Sequence, residues 1–344
     1  MKLRLAKTLK FTAFFTALAL TACATPAKTA TPAAPAEVDG YLARPEVQAF
    51  IDKLVNEDHF QRAQLEKLFS SARHSDDVIA RITKPAESLP WYRYRGIFLT
   101  DARATGGARF LAAHRAALDR AQKVYGVPPR IVTAIIGVES NYGLIAGRYP
   151  VIDALATLGF DYPPRATFFR KELHQYLLLA REQHFDPAKM QGSYAGALGA
   201  PQFISSSYRQ YAVDFDGDGR SDLWTDWDDI IGSVANYFAE NGWQRGGAVA
   251  VRATPPAHPA AAKLPDPMKP TTVGALRTAG FTFADPVADD ADAVLVALDD
   301  GSGKTEYWVG LHNFVVITRY NRSPLYAMAV YQLSQAISKA NGGN

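Results

Sequence analysis

The sequence predicts a mainly α-helical protein of the α+β class with a small β-containing insert near its C-terminal end. Two observations support this. Up to about residue 245, and again near the C-terminus, apolar residues recur three or four positions apart, the spacing of one helix face. Between about residues 245 and 310 the pattern changes to short apolar runs, turn residues and prolines, which is typical of strands and loops.

Five stretches show the helical spacing, and their apolar faces are predicted to form the core. They contain Val47, Phe50, Ile51 and Leu54; Phe110, Ala113, Ala117, Leu118 and Ala121; Leu173, Tyr176, Leu177 and Ala180; Ile230, Ile231, Val234, Tyr237 and Phe238; and Tyr326, Val330, Leu333 and Ile337. In the insert, 249–251 and 294–298 predict strands, and Asp299-Asp300-Gly301 predicts a hairpin turn before a strand over 305–309. We therefore divide the chain beyond the tether into a helical part (39–245), the insert (246–310) and a C-terminal helical part (311–344).

The first 22 residues predict a secretory signal peptide. Four basic residues precede a twelve-residue apolar stretch, 11–22, which is too short to span a membrane. Cys23, the only cysteine, follows directly, and its surroundings resemble a bacterial lipobox, which predicts lipidation. A buried free thiol is the alternative. Residues 23–38, rich in Ala, Pro and Thr, predict a flexible tether, and Ala24 in place of an inner-membrane retention aspartate favours the periplasmic face of the outer membrane.

Removal of the signal peptide changes the charge of the chain. The full sequence has 37 basic and 34 acidic residues and a net charge of +3, whereas the mature chain has 33 basic and 34 acidic residues and a net charge of −1. No basic block remains, so nucleic acid is not an expected partner.

Glu139 is the candidate general acid. It ends the apolar run 131–138, which Pro128 and Pro129 introduce, and we expect Gly143 to occupy the C′ position of this helix. Burial and the negative end of the helix dipole would both disfavour the ionised carboxylate, so that Glu139 could keep a proton near neutral pH. The alternative is a solvated glutamate at a helix end.

The acidic segment 214–222 begins like an EF-hand loop and predicts a structural Ca²⁺ site. Asp214, Asp216 and Asp218 occupy positions 1, 3 and 5, Gly219 occupies position 6, and Arg220 would offer its backbone carbonyl at position 7. Position 12 is Thr225, so the closing carboxylate must come from Asp226, Asp228 or Asp229. The alternative is a solvated acidic turn. No organic cofactor is indicated.

Three segments together resemble a known family. They are 136–143 (IGVESNYG), 192–203 (GSYAGALGAPQF) and 231–238 (IGSVANYF), and the match also takes in 91–95, the acidic loop and 318–322. In residues, order and spacing they resemble the membrane-bound lytic transglycosylase B family, the lipoprotein branch of the lysozyme-like peptidoglycan-cleaving enzymes.

The resemblance implies a lysozyme-like core with an added helical domain and a small β domain. It implies non-hydrolytic cleavage of peptidoglycan between N-acetylmuramic acid and N-acetylglucosamine, which leaves 1,6-anhydromuramoyl ends. One glutamate, here Glu139, would act first as acid and then as base, with help from the substrate's N-acetyl group. Most glycosidases need two carboxylates, and the absence of a second acid from the matching segments agrees with this exception.

The resemblance also assigns residues to the substrate groove and the metal site. Ser193 and Gln202 would line the sugar groove, and the substrate-binding residues that surround Glu139 would be Tyr94, Tyr237, Tyr320, Asn321 and Tyr326. Arg165 would suit a carboxylate of the substrate, and Asp229 would be the distant metal ligand. Tyr237 also lies on a core stripe, and a structural role is its alternative. One departure is Ala200-Pro201, where the family pattern has an aromatic or polar residue followed by glycine. This change puts the subsite preferences in doubt.

Two other functions are compatible with the sequence. A hydrolytic muramidase would cut the same bond with an activated water and a second carboxylate, for which Asp153 and Asp161 are the nearest candidates in sequence. A non-catalytic, calcium-stabilised lipoprotein would bind glycan strands without cutting them.

Overall fold

The computed structural model describes residues 40–84, 86–258, 264–283 and 285–342. The predicted signal peptide, Cys23 and the tether lie outside these residues. The described chain is mainly helical with two small sheets, so the predicted α+β class is confirmed. The helices of this part of the chain are α1 (Pro45–Asp58), α2 (Arg62–Ser71), α3 (Asp76–Ile82), α4 (Trp91–Phe98), α5 (Asp101–Ala113), α6 (Arg115–Tyr125), α7 (Pro129–Ser140), α8 (Val151–Phe160), α9 (Ala166–Glu182), α10 (Ser205–Tyr211), α11 (Trp227–Glu240), α12 (Val273–Thr278), α13 (His312–Tyr320) and α14 (Pro324–Ala340).

Helix α7 lies at the centre of the main core. It begins with Pro129 at its first position, as the sequence predicts, because proline has no N–H to leave unpaired there. Every residue from Ile131 to Val138 is buried, and α5, α6, α11 and α14 pack around the helix. Neighbours on all sides explain why its sequence is a continuous apolar run instead of an amphipathic stripe.

The end of α7 differs from the sequence-based expectation. Asn141, not Gly143, is the first left-handed residue after the helix, with φ of 50°, and Tyr142 and Gly143 follow with φ of 62° and 82°. Asparagine tolerates this conformation better than most residues. The turn folds the Tyr142 ring back over Gly137, where a Cβ would lie 2.6 Å from the tyrosine hydroxyl. The prediction that Gly143 occupies C′ was therefore wrong.

A second group of helices forms around the N-terminal residues of the described chain. The rings of Phe50, Phe69 and Phe160 contact one another edge to face, which packs α1 and α2 against α8. Helix α9 packs along α8, and α10 packs against α9. The buried residues of α1, α2, α8 and α9 belong to the same hydrophobic core as those of α7 and α14.

The larger sheet is antiparallel in the order β3, β6, β5, β4. Its strands are β3 (Ala250–Ala253), β4 (Pro270–Thr272), β5 (Asp292–Asp299) and β6 (Thr305–Leu311), and β1 (Tyr149–Pro150) pairs with β2 (Gln191–Gly192) in a separate small sheet. The predicted hairpin is confirmed, because β5 and β6 pair from Ala293–Leu311 to Asp299–Thr305. Alternate residues of β5 face different cores: Val294 and Val296 pack with the helices, and Leu295 packs with α12. Burial on both faces explains the continuous apolar run.

The sequence analysis did not predict strand β4 or the short helix α12, which covers the outer face of the sheet. The division at residues 245 and 310 stays a prediction. No helix in residues 40–84, 86–258, 264–283 or 285–342 is long and apolar enough to cross a membrane.

Candidate active site

Glu139 lies in the last turn of α7, at the junction with α14. Its Oε1 accepts a hydrogen bond of 2.5 Å from the hydroxyl of Tyr326, which is 2% exposed. Tyr326 lies in the first turn of α14, where the side chain of Ser323 caps the helix by accepting the Tyr326 N–H. The cap therefore helps to position Tyr326, the hydrogen-bonding partner of Glu139. Tyr326 lies beside Glu139, as the resemblance implies.

The environment of Glu139 holds its pKa far above the usual value for glutamate. Burial raises the pKa from 4.5 to about 7, the hydrogen bond from Tyr326 acts in the opposite direction, and the negative charge of Glu87 raises it further. Desolvation dominates because an ionised carboxylate loses more hydration than one neutral hydrogen bond returns. A carboxyl group with this pKa can both donate and recover a proton near neutral pH.

Aromatic rings continue the site from Tyr326. The ring of Tyr320 stacks on that of Tyr326 with centroids 6.3 Å apart, and Tyr237 contacts Tyr320 edge to face at 4.8 Å. Tyr237 is only 8% exposed, and its hydroxyl donates to the backbone carbonyl of Arg319 at 2.7 Å. This arrangement fits a supporting role for Tyr237, which the sequence analysis gave as the alternative to sugar contact.

Glu87 is a site residue that sequence reasoning missed. It lies in the 3-10 turn Ala86–Ser88, and its Oε1 accepts a hydrogen bond of 2.8 Å from the side-chain amide of Asn321. Burial together with the charges of Glu87 and Glu139 raises the pKa of Tyr94, so Tyr94 lies within electrostatic reach of both carboxylates. The 3-10 turn is short and polar, and it contains no motif that would have indicated a functional glutamate.

Ser193 and Gln202 shape the loop between α9 and α10. The hydroxyl oxygen of Ser193 accepts the N–H groups of Ala195 and Ala197, so its own proton is left to donate. The side-chain amide of Gln202 donates to the carbonyls of Ala146 and Gly199, which leaves its oxygen as an acceptor.

Both residues of the unusual Ala200-Pro201 pair make hydrogen bonds through their backbone. The Ala200 N–H donates to the carbonyl of Leu223 at 2.9 Å, and the Pro201 carbonyl accepts the Tyr320 hydroxyl at 2.6 Å. Proline lacks an N–H, but this contact uses only its carbonyl. The loop therefore remains attached to the tyrosines of the site.

Arg165 is exposed and lies on the aromatic rings of Phe168 and Phe169, with its guanidinium carbon 4.4 and 4.9 Å from the ring centres. Its charge acts on Tyr194, as does that of Glu87. The structure thus places Arg165 and Glu87 within electrostatic reach of the same tyrosine. Its role toward a substrate carboxylate stays a prediction.

The carboxylates considered for a hydrolytic mechanism are engaged elsewhere. Asp153 accepts the backbone N–H of Arg73, and Asp161 accepts hydrogen bonds from Tyr41, Arg44 and His74. The carboxylate whose charge acts on Glu139 is instead Glu87.

The acidic loop gathers three of its predicted ligands. Carboxylate oxygens of Asp214, Asp216 and Asp229 lie within 4.8 Å of one another, a spacing that fits Ca²⁺, whose oxygen ligands lie about 2.3–2.6 Å from the ion. Asp229 is 1% exposed, and burial, together with the charges of Asp226 and Asp216, raises its pKa despite two backbone hydrogen bonds. Asp218 lies outside this group and accepts the Arg220 N–H. Calcium binding by Asp218 and Arg220 therefore stays a prediction.

Comparison with known proteins identifies the family. Residues 42–335 match the family described as "Transglycosylase SLT domain". The chain belongs to this family. It is 45% identical over 307 residues, 86% of this chain and 83% of the relative, to membrane-bound lytic murein transglycosylase B of Escherichia coli K12.

Solved structures of family members have the same fold. The chain is similar to lytic transglycosylase SltB1 of Pseudomonas aeruginosa, with a TM-score of 0.82, 48% identity and coverage of 88% of this chain and 100% of that chain. It resembles E. coli Slt35 in complex with calcium, with a TM-score of 0.80, 46% identity and coverage of 87% and 94%. P. aeruginosa SltB3, solved with NAG-anhNAM-pentapeptide, gives a TM-score of 0.75, 29% identity and coverage of 85% and 78%. The lysozyme-like helical fold is confirmed.

The raised pKa of Glu139 predicts that this residue costs stability. We expect Glu139→Gln to unfold at a higher urea concentration than the wild type. The difference between the two free energies of unfolding should be near zero below pH 4.5 and should grow as the pH rises to about 7. The sign follows because the folded protein binds the Glu139 proton more tightly than the unfolded chain does, and the limit is about 3 kcal/mol. The exposed Glu240→Gln serves as control. A difference that does not vary with pH would contradict the raised pKa.

Proposed function

We propose that the protein is a lytic murein transglycosylase that cleaves the β-1,4 bond between N-acetylmuramic acid and N-acetylglucosamine in peptidoglycan. The single observation that supports this most directly is Glu139, a carboxyl group with a pKa of about 7 at the end of a buried helix. Membership of the transglycosylase family and the name of the E. coli relative agree with this substrate.

In the proposed reaction Glu139 acts twice. It first donates its proton to the glycosidic oxygen as the bond from C1 to that oxygen breaks, and the acetamido oxygen of the muramoyl residue forms a bond to C1. The Glu139 carboxylate then accepts the proton of the O6 hydroxyl as O6 bonds to C1 and the acetamido oxygen leaves. No water is consumed, and the product is a 1,6-anhydromuramoyl end. The anhydro sugar bound to SltB3 is a ligand of this type.

Tyr326 has a defined part in this cycle. Burial and the charge of Glu139 raise its pKa well above the usual value, so its hydroxyl stays protonated and can donate. A donor at 2.5 Å favours the carboxylate form, which limits the rise in the pKa of Glu139 and stabilises the base that the second step requires.

Glu87 is the observation that favours the hydrolytic alternative, because it supplies a second carboxylate whose charge reaches Glu139. However, Glu87 accepts a hydrogen bond from Asn321, which gives it a role in holding that side chain. The product distinguishes the two reactions, since an anhydro end is lighter than a hydrolysed end by one water.

We further propose that residues 1–22 are a signal peptide and that Cys23 is lipidated, which would anchor the enzyme at the periplasmic face of the outer membrane. The basic and apolar segments before Cys23 support export. The E. coli relative is named as membrane-bound.

We also propose that Asp214, Asp216 and Asp229 hold a structural Ca²⁺. The ion would screen their mutual repulsion and hold the loop against the start of α11. The calcium complex of Slt35 supports the choice of ion.

Glu139→Gln should lower cleavage of purified sacculi at least about 10²-fold, because the amide keeps the shape but cannot transfer a proton. Wild-type activity should fall as the pH rises through about 7, since the first step needs the protonated acid. Rates on sacculi and mass spectrometry of the products test this. More than a tenth of wild-type turnover in the variant would assign the proton transfer to another residue.

Cys23→Ser should abolish incorporation of labelled palmitate, because a hydroxyl cannot form the thioether to diacylglycerol. The matched control is Ala24→Asp, which should still be labelled but move to the inner membrane. Membrane fractionation after labelling tests both expectations. Absence of label from the wild-type protein would overturn the proposed lipidation.

Calcium should raise the melting temperature of metal-stripped protein, and free ion at 100 Kd would add about 2.7 kcal/mol to the free energy of unfolding. Asp214→Asn should abolish this shift and leave proton transfer by Glu139 measurable at low temperature. Asp119→Asn, which removes a carboxylate paired with Arg115 on α6, should keep the shift. An unchanged melting curve on addition of calcium or chelator would reduce the loop to an acidic turn.

A further inference from the structure

Glu87 and Asn321 join two distant parts of the chain at the candidate active site. Glu87 belongs to the 3-10 turn before α4, and Asn321 directly follows α13. The Nδ2 of Asn321 donates to Oε1 of Glu87 at 2.8 Å. Both residues are half-buried, so a substrate could still reach the remaining atoms of the Asn321 amide.

The charge of Glu87 acts on several ionisable groups of the candidate active site. It acts on Glu139, Tyr94 and Tyr194, and in each case it disfavours ionisation of the other group. The described residues provide the Asn321 amide, and not a basic side chain, as its hydrogen-bonding partner. The Glu87 carboxylate is therefore held by a neutral partner, close enough for its charge to act on Glu139.

The hydrogen bond also determines which end of the Asn321 amide is free. An ionised carboxylate can only accept, so it must face the NH₂ group of Asn321. The amide is planar, and its Oδ1 is therefore turned away from Glu87. Without Glu87, either end of the amide could face the substrate.

We propose that Glu87 is a positioning residue for the transglycosylase reaction and that it acts through Asn321. It orients the amide so that Oδ1 accepts the N–H of the muramoyl acetamido group. Electron density at the acetamido carbonyl then increases, which favours the bond from its oxygen to C1 as the glycosidic bond breaks. This inference rests on the proposed function.

The negative charge of Glu87 has a second effect in the same step. The acetamido group becomes positively charged when its oxygen bonds to C1, and a nearby carboxylate stabilises that charge. Glu87 thus forms no bond to the substrate, and O6 remains the attacking group. The second carboxylate of the site is compatible with a non-hydrolytic reaction.

The test compares Glu87→Gln, Glu87→Ala, Asn321→Ala and the double alanine variant, with kcat and KM measured against pH on soluble glycan fragments. Glu87→Gln retains an acceptor for Asn321 but lacks the charge. Its activity at acidic pH should stay within about tenfold of the wild type, and its alkaline limb should move to lower pH because a charge that raises the pKa of Glu139 is gone. Glu87→Ala should lose more than about tenfold in kcat, since the hydrogen bond is also lost.

The double variant tests whether Glu87 acts through Asn321. If it does, Glu87→Ala with Asn321→Ala should be no slower than the slower single variant, because the two residues form one unit. The control Glu182→Gln, in an ion pair with Arg209, should leave the pH profile unchanged.

Three outcomes would overturn the proposal: multiplied losses in the double variant, an unshifted alkaline limb in Glu87→Gln, or equal losses in the Gln and Ala variants. If Glu87→Ala does not fold, the pH profile of Glu87→Gln still decides. Activity of Glu139→Gln, or a hydrolysed product, would instead contradict the proposed function itself.

Discussion

The contact between Tyr326 and Glu139 joins α7 to α14, and the rest of the site is arranged around it. Helix α7 is surrounded by other helices, so its last turn presents a carboxyl group to a poorly hydrated space. Helix α14 comes from the far end of the chain, and its capped first turn supplies the Tyr326 hydroxyl that donates to this carboxyl group. Burial makes this acid costly to ionise despite the hydrogen bond from Tyr326, and this cost gives the group its pKa near neutrality.

The turn that follows α7 is a second constrained feature beside Glu139. After Ser140 the backbone passes through three left-handed residues, two of which are not glycine. Such conformations are disfavoured for residues with a Cβ and persist only where the surroundings hold them. Here Tyr142 is held by its hydroxyl, which donates to the carbonyl of Arg103 at 2.8 Å, and by its ring over Gly137. These contacts hold the turn that directly follows the Glu139 end of α7.

Local signals made much of this structure predictable. The proline start and apolar run of α7, the position of Glu139 in its last turn and the β5–β6 hairpin all follow from residues close together in sequence. The exit of α7 was predicted incorrectly because asparagine also tolerates the left-handed conformation, so that the first left-handed residue is Asn141 and Gly143 is the third. Glu87 had no local signal at all. Its partner is Asn321, and no spacing rule relates two residues so distant in the chain.

The acidic loop is connected to the site through α11. Asp229, in the first turn of α11, accepts the N–H groups of Phe215 and Asp222, so it links both ends of the loop to the helix. The ring of Phe215 packs on Gly232, where a Cβ would lie 2.4 Å away.

Two turns further along α11, Tyr237 donates to the carbonyl of Arg319 and packs against Tyr320, whose ring stacks on Tyr326. Packed side chains of α11 and α13 therefore connect the loop to Tyr326, the hydrogen-bonding partner of Glu139. A cationic side chain also lies beside the loop, since the Arg120 guanidinium packs over the Phe215 ring and forms an ion pair with Asp228. That pair leaves the charges of Asp214, Asp216 and Asp229 for a bound ion to balance, and such an ion would add rigidity to the support of the tyrosines.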